Sequence, residues 1–210
     1  MNFYPLKFPD FLQKLFPKII FKQKTQEQTV YLTFDDGPVP EITSWVLNLL
    51  SQYNAQATFF CIGNNIQKYP DIFKKIIQNK HQVGNHTFTH LDGWKTNNPN
   101  YFEEIQKTEA IINSFIPSQK IFRPPYGRFK RSQINQLNKS GYKIILWTTI
   151  SGDFNPNLNP AKVIKYITKN TKTGDIIVFH DSQKASKNLK IILPEILNNL
   201  HSKGYSFKTL

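Results

Sequence analysis

The sequence predicts an α/β fold in which parallel strands alternate with outer helices. After Gln28, short apolar runs alternate with segments whose apolar residues recur at the spacing of one helix face. This alternation is typical of a parallel sheet covered by helices. Seven such units can form either an open doubly wound sheet or a closed barrel, and periodicity does not separate the two. With 210 residues, 14% of them aromatic, the chain can build one domain with a substantial core.

Each predicted strand is a short apolar run bounded by polar or turn-forming residues. The first run ends abruptly in two carboxylates, Asp35 and Asp36, followed by Gly37-Pro38. The predicted strands cover residues 29–34, 56–62, 81–85, 120–123, 142–148, 174–180 and 204–209.

The predicted helices are recognised by apolar residues three or four positions apart. Asn159 followed by Pro160 predicts a helix start, because Asn caps free N–H groups and Pro suits the first helical position. Gly204 predicts the end of the last helix. The apolar faces are Ile42, Val46, Leu49, Leu50 and Tyr53; Ile72, Phe73, Ile76 and Ile77; Tyr101, Ile105, Thr108, Ile112 and Phe115; and Leu189, Ile192, Leu193, Ile196, Leu197 and Leu200.

The charge balance favours anionic partners other than nucleic acid. The chain has 27 Lys and Arg residues against 14 Asp and Glu, a formal charge of +13. Such an excess attracts acidic glycans, lipid head groups or nucleic acid. The lysines are scattered and no nucleic-acid recognition motif is present, so we predict no nucleic-acid partner. The single cysteine, Cys61, excludes an internal disulfide and is expected to be a buried apolar residue.

We predict a basic amphipathic N-terminal arm over residues 1–28 and one domain over residues 29–210. The apolar side chains of residues 8–21 suit either an arm packed over the domain or a weak anchor on a membrane surface. No run reaches the ~18 apolar residues of a membrane span. Pro5, Asp10 and Pro17 interrupt any signal-peptide pattern. The expected location is therefore the cytoplasm or the membrane periphery, and the oligomeric state is left open.

Chemically reactive side chains gather at the predicted strand ends. Asp35 and Asp36 follow the first strand, His86 follows the third, Arg123 ends the fourth and His180 ends the sixth. In parallel α/β folds the carboxyl ends of the strands carry the active site. Adjacent carboxylates repel each other, so this acid pair is favourable only where water or a cation compensates it.

The spacing from His86 to His90 supplies two imidazoles that can converge on one ion. With one carboxylate they form a two-His-one-acid set, which leaves positions open for water and substrate as catalytic zinc sites do. The pattern therefore predicts a hydrolytic metal site.

The segment 123–127, Arg-Pro-Pro-Tyr-Gly, is stiffened by two prolines and can hold Tyr126 and its N–H rigidly toward a site. The predicted strand 174–180 is apolar and ends with the sequence Val178-Phe179-His180. Asp153 lies in a predicted loop. Each of these motifs alone also fits an ordinary turn or a structural histidine.

Together and in this order, the motifs resemble the polysaccharide deacetylase family, the NodB-homology domain of carbohydrate esterase family 4. The resemblance runs from about residue 29 to residue 209. It rests on T-F-D-D-G-P at 33–38, A-T-F-F at 57–60, H-T-x-x-H at 86–90, R-P-P-Y-G at 123–127 and V-x-H at 178–180. It implies a distorted (β/α)7 barrel of mostly parallel strands with outer helices. It also implies metal-dependent removal of acetyl groups from N-acetylated sugars.

The resemblance implies a role for each matching residue. Asp36, His86 and His90 would bind the metal, Asp35 would be the general base and His180 the general acid.

The remaining matching residues would orient these groups or line the substrate pocket. Arg123 would orient site carboxylates, chiefly Asp35. Asp153 would tune His180 or pair with Arg123, and Tyr126 would offer its backbone N–H to the oxyanion. The expected pocket residues are Pro125, Phe154 and Val178.

One motif departs from the family pattern. Where the family commonly has D-x-x-D-W, this chain has Ile150 for the first acid and Phe154 for the tryptophan. The chemistry is expected to survive this change, whereas the glycan preference need not follow that of commoner members.

We therefore predict a metal-dependent hydrolase acting on N-acetylated amino sugars of the chitin-oligosaccharide or peptidoglycan type. The alternatives are an O-acetyl esterase, a deformylase of a lipid-linked sugar, and a non-catalytic glycan-binding relative. The presence of Asp35 and His180 argues against the last, because a binder needs no base. One divalent ion is expected, zinc in the first place, with cobalt and nickel as alternatives because the same ligands accept them.

Overall fold

A curled sheet of nine parallel strands forms the centre of the part of the chain that the structure describes. The computed structural model describes residues 15–210. The strands are β1 (Ile19–Ile20), β2 (Thr29–Asp35), β3 (Ala57–Cys61), β4 (Gln82–Asn85), β5 (Ile121–Phe122), β6 (Lys143–Ile145), β7 (Thr149–Ile150), β8 (Ile176–His180) and β9 (Ser206–Phe207). Their order is β1-β6-β5-β4-β3-β2-β8-β7, with β9 beside β2, and each of these pairs runs parallel.

Helices connect the strands and cover the sheet, as the alternating pattern predicts. They are α1 (Ile42–Gln52), α2 (Gly63–Lys68), α3 (Pro70–Gln78), α4 (Asn98–Asn113), α5 (Arg131–Lys139), α6 (Pro160–Asn170) and α7 (Ser186–Ser202), with a short 3-10 turn at Pro125–Gly127. The Asn159 side chain accepts a hydrogen bond from the Lys162 N–H at 3.1 Å, which caps α6 as expected. Among the described residues, none of the helices combines the length and apolarity that a bilayer span requires.

The main core lies between the central strands and the apolar faces of α1, α3 and α7. In it, the Phe34 ring stacks on the rings of Phe59 and Phe179 at centroid distances of 5.0 and 5.7 Å. These three residues sit on the adjacent strands β2, β3 and β8, so their packing holds the central strands together. Cys61 is fully buried, as expected.

The predicted strand at 142–148 is wrong in its extent, because the chain changes partners within it. Residues of β6 pair with β5 and β1, whereas β7 pairs with β8. Between them, the Leu146 N–H donates to Ile20 O at 2.8 Å and the Thr148 N–H donates to Ile176 O at 3.1 Å. Periodicity cannot reveal such a switch, because the apolar run over residues 144–147 continues through it.

The N-terminal segment 19–23 fills the gap between β6 and the start of β8. Besides the pairing of β1 with β6, the Gln23 N–H donates to Gly174 O at 2.9 Å. Ile19 and Phe21 are buried against the barrel. Residues 1–14 of the predicted arm, and with them the first half of its amphipathic stretch, lie outside the described part of the chain.

Candidate active site

The two adjacent acids at the end of β2 make different contacts. Asp35 is buried, and its Oδ1 accepts a hydrogen bond from Arg123 Nη1 at 2.7 Å. Asp36 has a positive φ of 83°, and its Oδ1 lies 3.4 Å from His90 Nε2 and 3.9 Å from His86 Nε2. The fold therefore separates the carboxylates, one toward a guanidinium and one toward two imidazoles.

Asp36, His86 and His90 form a cluster in which one atom from each residue lies within 4.8 Å of the others. His86 Nδ1 is 2.7 Å from Arg123 O. Because a carbonyl only accepts, Nδ1 carries the proton, and the lone pair of Nε2 faces the cluster. Asp36 Oδ1 is buried and has no hydrogen-bond partner among the described residues. An orphaned carboxylate oxygen between two imidazole nitrogens fits a cation bound at this point.

The electrostatics of the cluster also suit a cation. Burial lowers the pKa of His86 to about 4 and lowers the pKa of His90, in each case against the attraction of nearby carboxylates. Burial would raise the pKa of Asp36, but the neighbouring imidazoles, His180 first, outweigh it and lower that pKa. Neutral imidazoles and an ionised carboxylate are the states that metal coordination requires.

Arg123 is fully buried and is held from every side. Its Nη1 donates to Thr33 Oγ1 as well as to Asp35, both at 2.7 Å. Nε donates to Ile145 O at 3.3 Å and Nη2 donates to Leu146 O at 3.1 Å. The guanidinium carbon also lies 4.1 Å from the centroid of the Phe60 ring. Arg123 therefore fixes one oxygen of Asp35 in place.

His180 ends β8 directly beside Asp35 in the strand register. Both Asp153 carboxylate oxygens contact His180: Oδ1 lies 2.7 Å from Nδ1, and Oδ2 accepts from the backbone N–H at 2.8 Å. Burial alone would lower the pKa of His180. The carboxylates of Asp153, Asp36 and Asp35 outweigh burial and raise that pKa to about 9. His180 is therefore a protonated imidazole at neutral pH, with Nε2 left for proton donation.

Tyr126 lies at the opposite edge of the cluster, in the 3-10 turn Pro125–Gly127. Its φ of 59° is unusual for a residue other than glycine. Its ring meets the His90 ring edge to face at a centroid distance of 4.5 Å. Backbone held in such a conformation is common where a site is pre-organised.

A family model described as polysaccharide deacetylase matches residues 22–145. The chain belongs to the polysaccharide deacetylase family. A peptidoglycan-N-acetylglucosamine deacetylase of Bacillus cereus is 31% identical over 194 residues, covering 91% of each chain. A chitooligosaccharide deacetylase of Rhizobium leguminosarum is 28% identical over 201 residues, covering 89% of this chain and 92% of the relative.

Solved structures of the polysaccharide deacetylase family share the fold. The crystal structure of a peptidoglycan N-acetylglucosamine deacetylase, in complex with 4-naphthalen-1-yl-N-oxidanyl-benzamide, has a TM-score of 0.87 and 30% identity. The alignment covers 97% of this chain and 95% of that one. The predicted family, the distorted barrel and the enzyme class, a polysaccharide N-deacetylase, are confirmed by these matches.

Some of the remaining predicted site residues make the expected contacts, whereas others are buried. Asp153 contacts His180, and Arg123 contacts Asp35. Of the expected pocket residues, Phe154 is partly exposed and its ring meets the His180 ring at 5.0 Å. Pro125 and Val178 are buried, so neither side chain offers a substrate much surface.

Sequence reasoning missed Asp181 as a support of the metal cluster. Its Oδ1 accepts the Gly37 N–H at 3.1 Å and its Oδ2 accepts the Thr43 hydroxyl at 2.5 Å. Thr43 Oγ1 in turn accepts the Val39 N–H at 2.8 Å. A Cβ on Gly37 would lie 2.0 Å from Asp181 Oδ2, so only glycine fits there. The loop that carries Asp36 is thus fastened to the residue after His180, and burial raises the pKa of Asp181 to about 8.

Proposed function

We propose that this chain is a divalent-metal-dependent hydrolase that removes acetyl groups from N-acetylated amino sugars of a glycan. The observation that carries the proposal is the division of the two adjacent acids. Asp36 belongs to a two-His-one-acid cluster, while Asp35 lies outside that set and has its Oδ1 bound by Arg123. A hydrolase that activates water on a metal ion uses an ion site and an unligated base, and this arrangement supplies both.

Asp36, His86 and His90 would hold the ion, zinc in the first place. A divalent cation bound by these residues would polarise the acetamide carbonyl and acidify a water molecule. His86 is oriented for this task by its contact with Arg123 O, and the backbone of Asp36 is held by the Asn65 side chain, which donates to Asp36 O at 2.8 Å. Contacts of this kind fix the direction of metal ligands.

Asp35 would act as the general base. Arg123 holds Oδ1, so the carboxylate cannot rotate freely and Oδ2 would take the proton of the attacking water. A positioned base typically contributes on the order of 10²–10⁴-fold in rate. The backbone N–H of Tyr126, in its fixed left-handed turn, would stabilise the negative oxygen that develops on the acetyl carbon.

His180 would act as the general acid. An amine leaves poorly unless it is protonated, and His180 carries a proton at neutral pH because Asp153 accepts from Nδ1. Its position beside Asp35 in the β2–β8 register places the acid and the base on adjacent strands. The two groups can therefore serve the two ends of the same amide bond.

The substrate class is proposed from the relatives together with the site. One relative is a peptidoglycan-N-acetylglucosamine deacetylase and another a chitooligosaccharide deacetylase. Both names specify a polymer or oligomer of N-acetylated sugars. Phe154 leaves an aromatic wall beside His180 without the indole N–H that the common family motif supplies.

Acetate release from chitin oligosaccharides, peptidoglycan, acetylxylan and N-acetylglucosamine tests the proposal. We expect release from the N-acetylated glycans, its loss on chelation and its return with zinc. Release from acetylxylan alone would favour the esterase, and formate release from a formylated sugar would favour the deformylase. Glycan binding without turnover in the zinc-loaded protein would favour the binding relative.

A further inference from the structure

Two exposed aromatic rings lie beside the metal cluster. Trp94 and Tyr126 are 60% and 61% exposed, although large apolar side chains are normally buried. Arg128 lies between them, with its guanidinium carbon 5.1 Å from the Trp94 ring and 5.6 Å from the Tyr126 ring. The Tyr126 ring in turn contacts His90. Trp94, Arg128 and Tyr126 thus form a continuous aromatic strip that starts at a metal-ligand candidate.

The outer end of the aromatic strip is held rigidly. Asp92 Oδ2 accepts from Arg128 Nη1 at 2.7 Å, and Asp92 Oδ1 accepts from the Trp94 N–H at 3.0 Å. The indole Nε1 of Trp94 donates to Phe129 O at 3.0 Å. A Cβ on Gly93 would lie 2.5 Å from Arg128 O, so the two backbones approach as closely as a glycine allows. The exposed ring is therefore already ordered before any ligand binds.

The loop that carries Trp94 is also tied to the start of α5. Gln133 Nε2 donates to Gly93 O at 3.0 Å, and Lys130 Nζ donates to Thr96 O at 2.7 Å. A rigid aromatic surface loses little conformational entropy on binding, which is why such surfaces favour recognition.

We infer that the aromatic strip is a binding subsite for the sugar unit next to the one that is deacetylated. The inference rests on the proposed function, since it takes the reacting sugar to lie at the metal cluster. A pyranose ring presents an apolar C–H face that packs on an aromatic ring, and hydroxyl and acetyl oxygens that accept from a guanidinium. Trp94 supplies the first and Arg128 the second, at the place where a polymer must leave the cluster.

Substitutions at Trp94 test the subsite with substrates of two lengths. Trp94→Ala removes the ring and Trp94→Phe keeps an aromatic face; Ile191→Ala, on an exposed apolar residue of α7, is the matched control. Acetate release is measured on the monomer, which lacks a neighbouring sugar, and on the pentamer of N-acetylglucosamine. For Trp94→Ala we expect the ratio of kcat/KM on the pentamer to that on the monomer to fall about tenfold. Trp94→Phe should keep most of this ratio, and Ile191→Ala all of it.

A binding measurement separates the subsite from the catalytic proposal. The zinc-loaded Asp35→Asn protein is titrated with the pentamer by calorimetry, with and without Trp94→Ala. We expect the dissociation constant to rise about tenfold when the ring is removed. If pentamer binding depends on Trp94 but the protein with Asp35 intact releases acetate from no glycan, the proposed function is overturned and the subsite is kept. Equal losses on monomer and pentamer, or pentamer binding indifferent to Trp94, would overturn the subsite and leave Trp94 as a loop anchor only.

Discussion

The pairing of Asp153 with His180 predicts how turnover depends on pH, and Asp153→Asn should change that dependence. In the native protein both carboxylate oxygens of Asp153 accept from His180. An asparagine offers one acceptor and one amide NH₂, so one of the two His180 donors loses its partner. The negative charge that raises the pKa of His180 to about 9 is lost as well, while the burial that lowers this pKa remains. The pKa should therefore fall to about 6.5 or below.

The direction of the pH effect on turnover follows from the role of His180 as an acid. Turnover needs the protonated imidazole, so activity is lost as pH rises through its pKa. At pH 8 an imidazole with a pKa of ~6.5 is protonated in about 3% of molecules, and turnover should fall roughly thirtyfold. A cation on Asp36 cancels the contribution of that carboxylate to the His180 pKa in both proteins. The difference between them persists because Asp153 is outside the metal cluster.

The assay is acetate release from an N-acetylglucosamine oligomer between pH 5 and 10, with the zinc content of each protein measured in parallel. Asp175→Asn is the matched control: Asp175 is also buried, but it bonds Lys22 and the Lys172 N–H and precedes the start of β8, whereas His180 lies at the end of that strand. It should lose stability and keep the alkaline limb of the native profile. An Asp153→Asn enzyme with full zinc and an unmoved alkaline limb would refute the reasoning.

Three further substitutions test the cluster and its support. Asp35→Asn should keep its zinc and lose turnover on the order of 10²–10⁴-fold, because Asp35 is the proposed base and is not one of the three clustered ligand residues. Metal analysis and acetate release check this, and retained turnover would remove Asp35 from the base role. His86→Ala should release the ion, and full zinc content after dialysis would contradict the ligand set. Gly37→Ala puts a Cβ 2.0 Å from Asp181 Oδ2 and should lower the free energy of unfolding by about 1–3 kcal/mol. Thermal denaturation measures this change, and an unaltered Tm would show that the loop yields.

Local patterns carried the prediction of the strands and of the metal cluster. The run before Asp35 ends where β2 ends, and His86 follows β4 directly. Parallel strands bring their carboxyl ends to one edge of the sheet, so residues that follow different strands are expected to lie close together. The two-His spacing needed no knowledge of the fold, because the two histidines are only four positions apart along a single loop.

Contacts between distant segments could not be predicted in this way. The bond from Thr43 to Asp181 joins residues 138 positions apart, and neither residue has a distinctive local pattern. The rigid strip at Trp94 depends on backbone approaches at Gly93 that are visible only after folding. The change of partner between β6 and β7 could not be predicted for the same reason, because an apolar run does not show which neighbouring strand it pairs with.

The seam formed by residues 19–23 links the N-terminal segment to the integrity of the sheet. Ile20 O accepts from the Leu146 N–H on one side of the gap, and the Gln23 N–H donates to Gly174 O on the other. A protein shortened to residue 29 would open both sides as free edges, and free edges recruit strands from other molecules. Trimming this segment therefore invites self-association through the sheet, even though every side chain of the metal cluster would still be present.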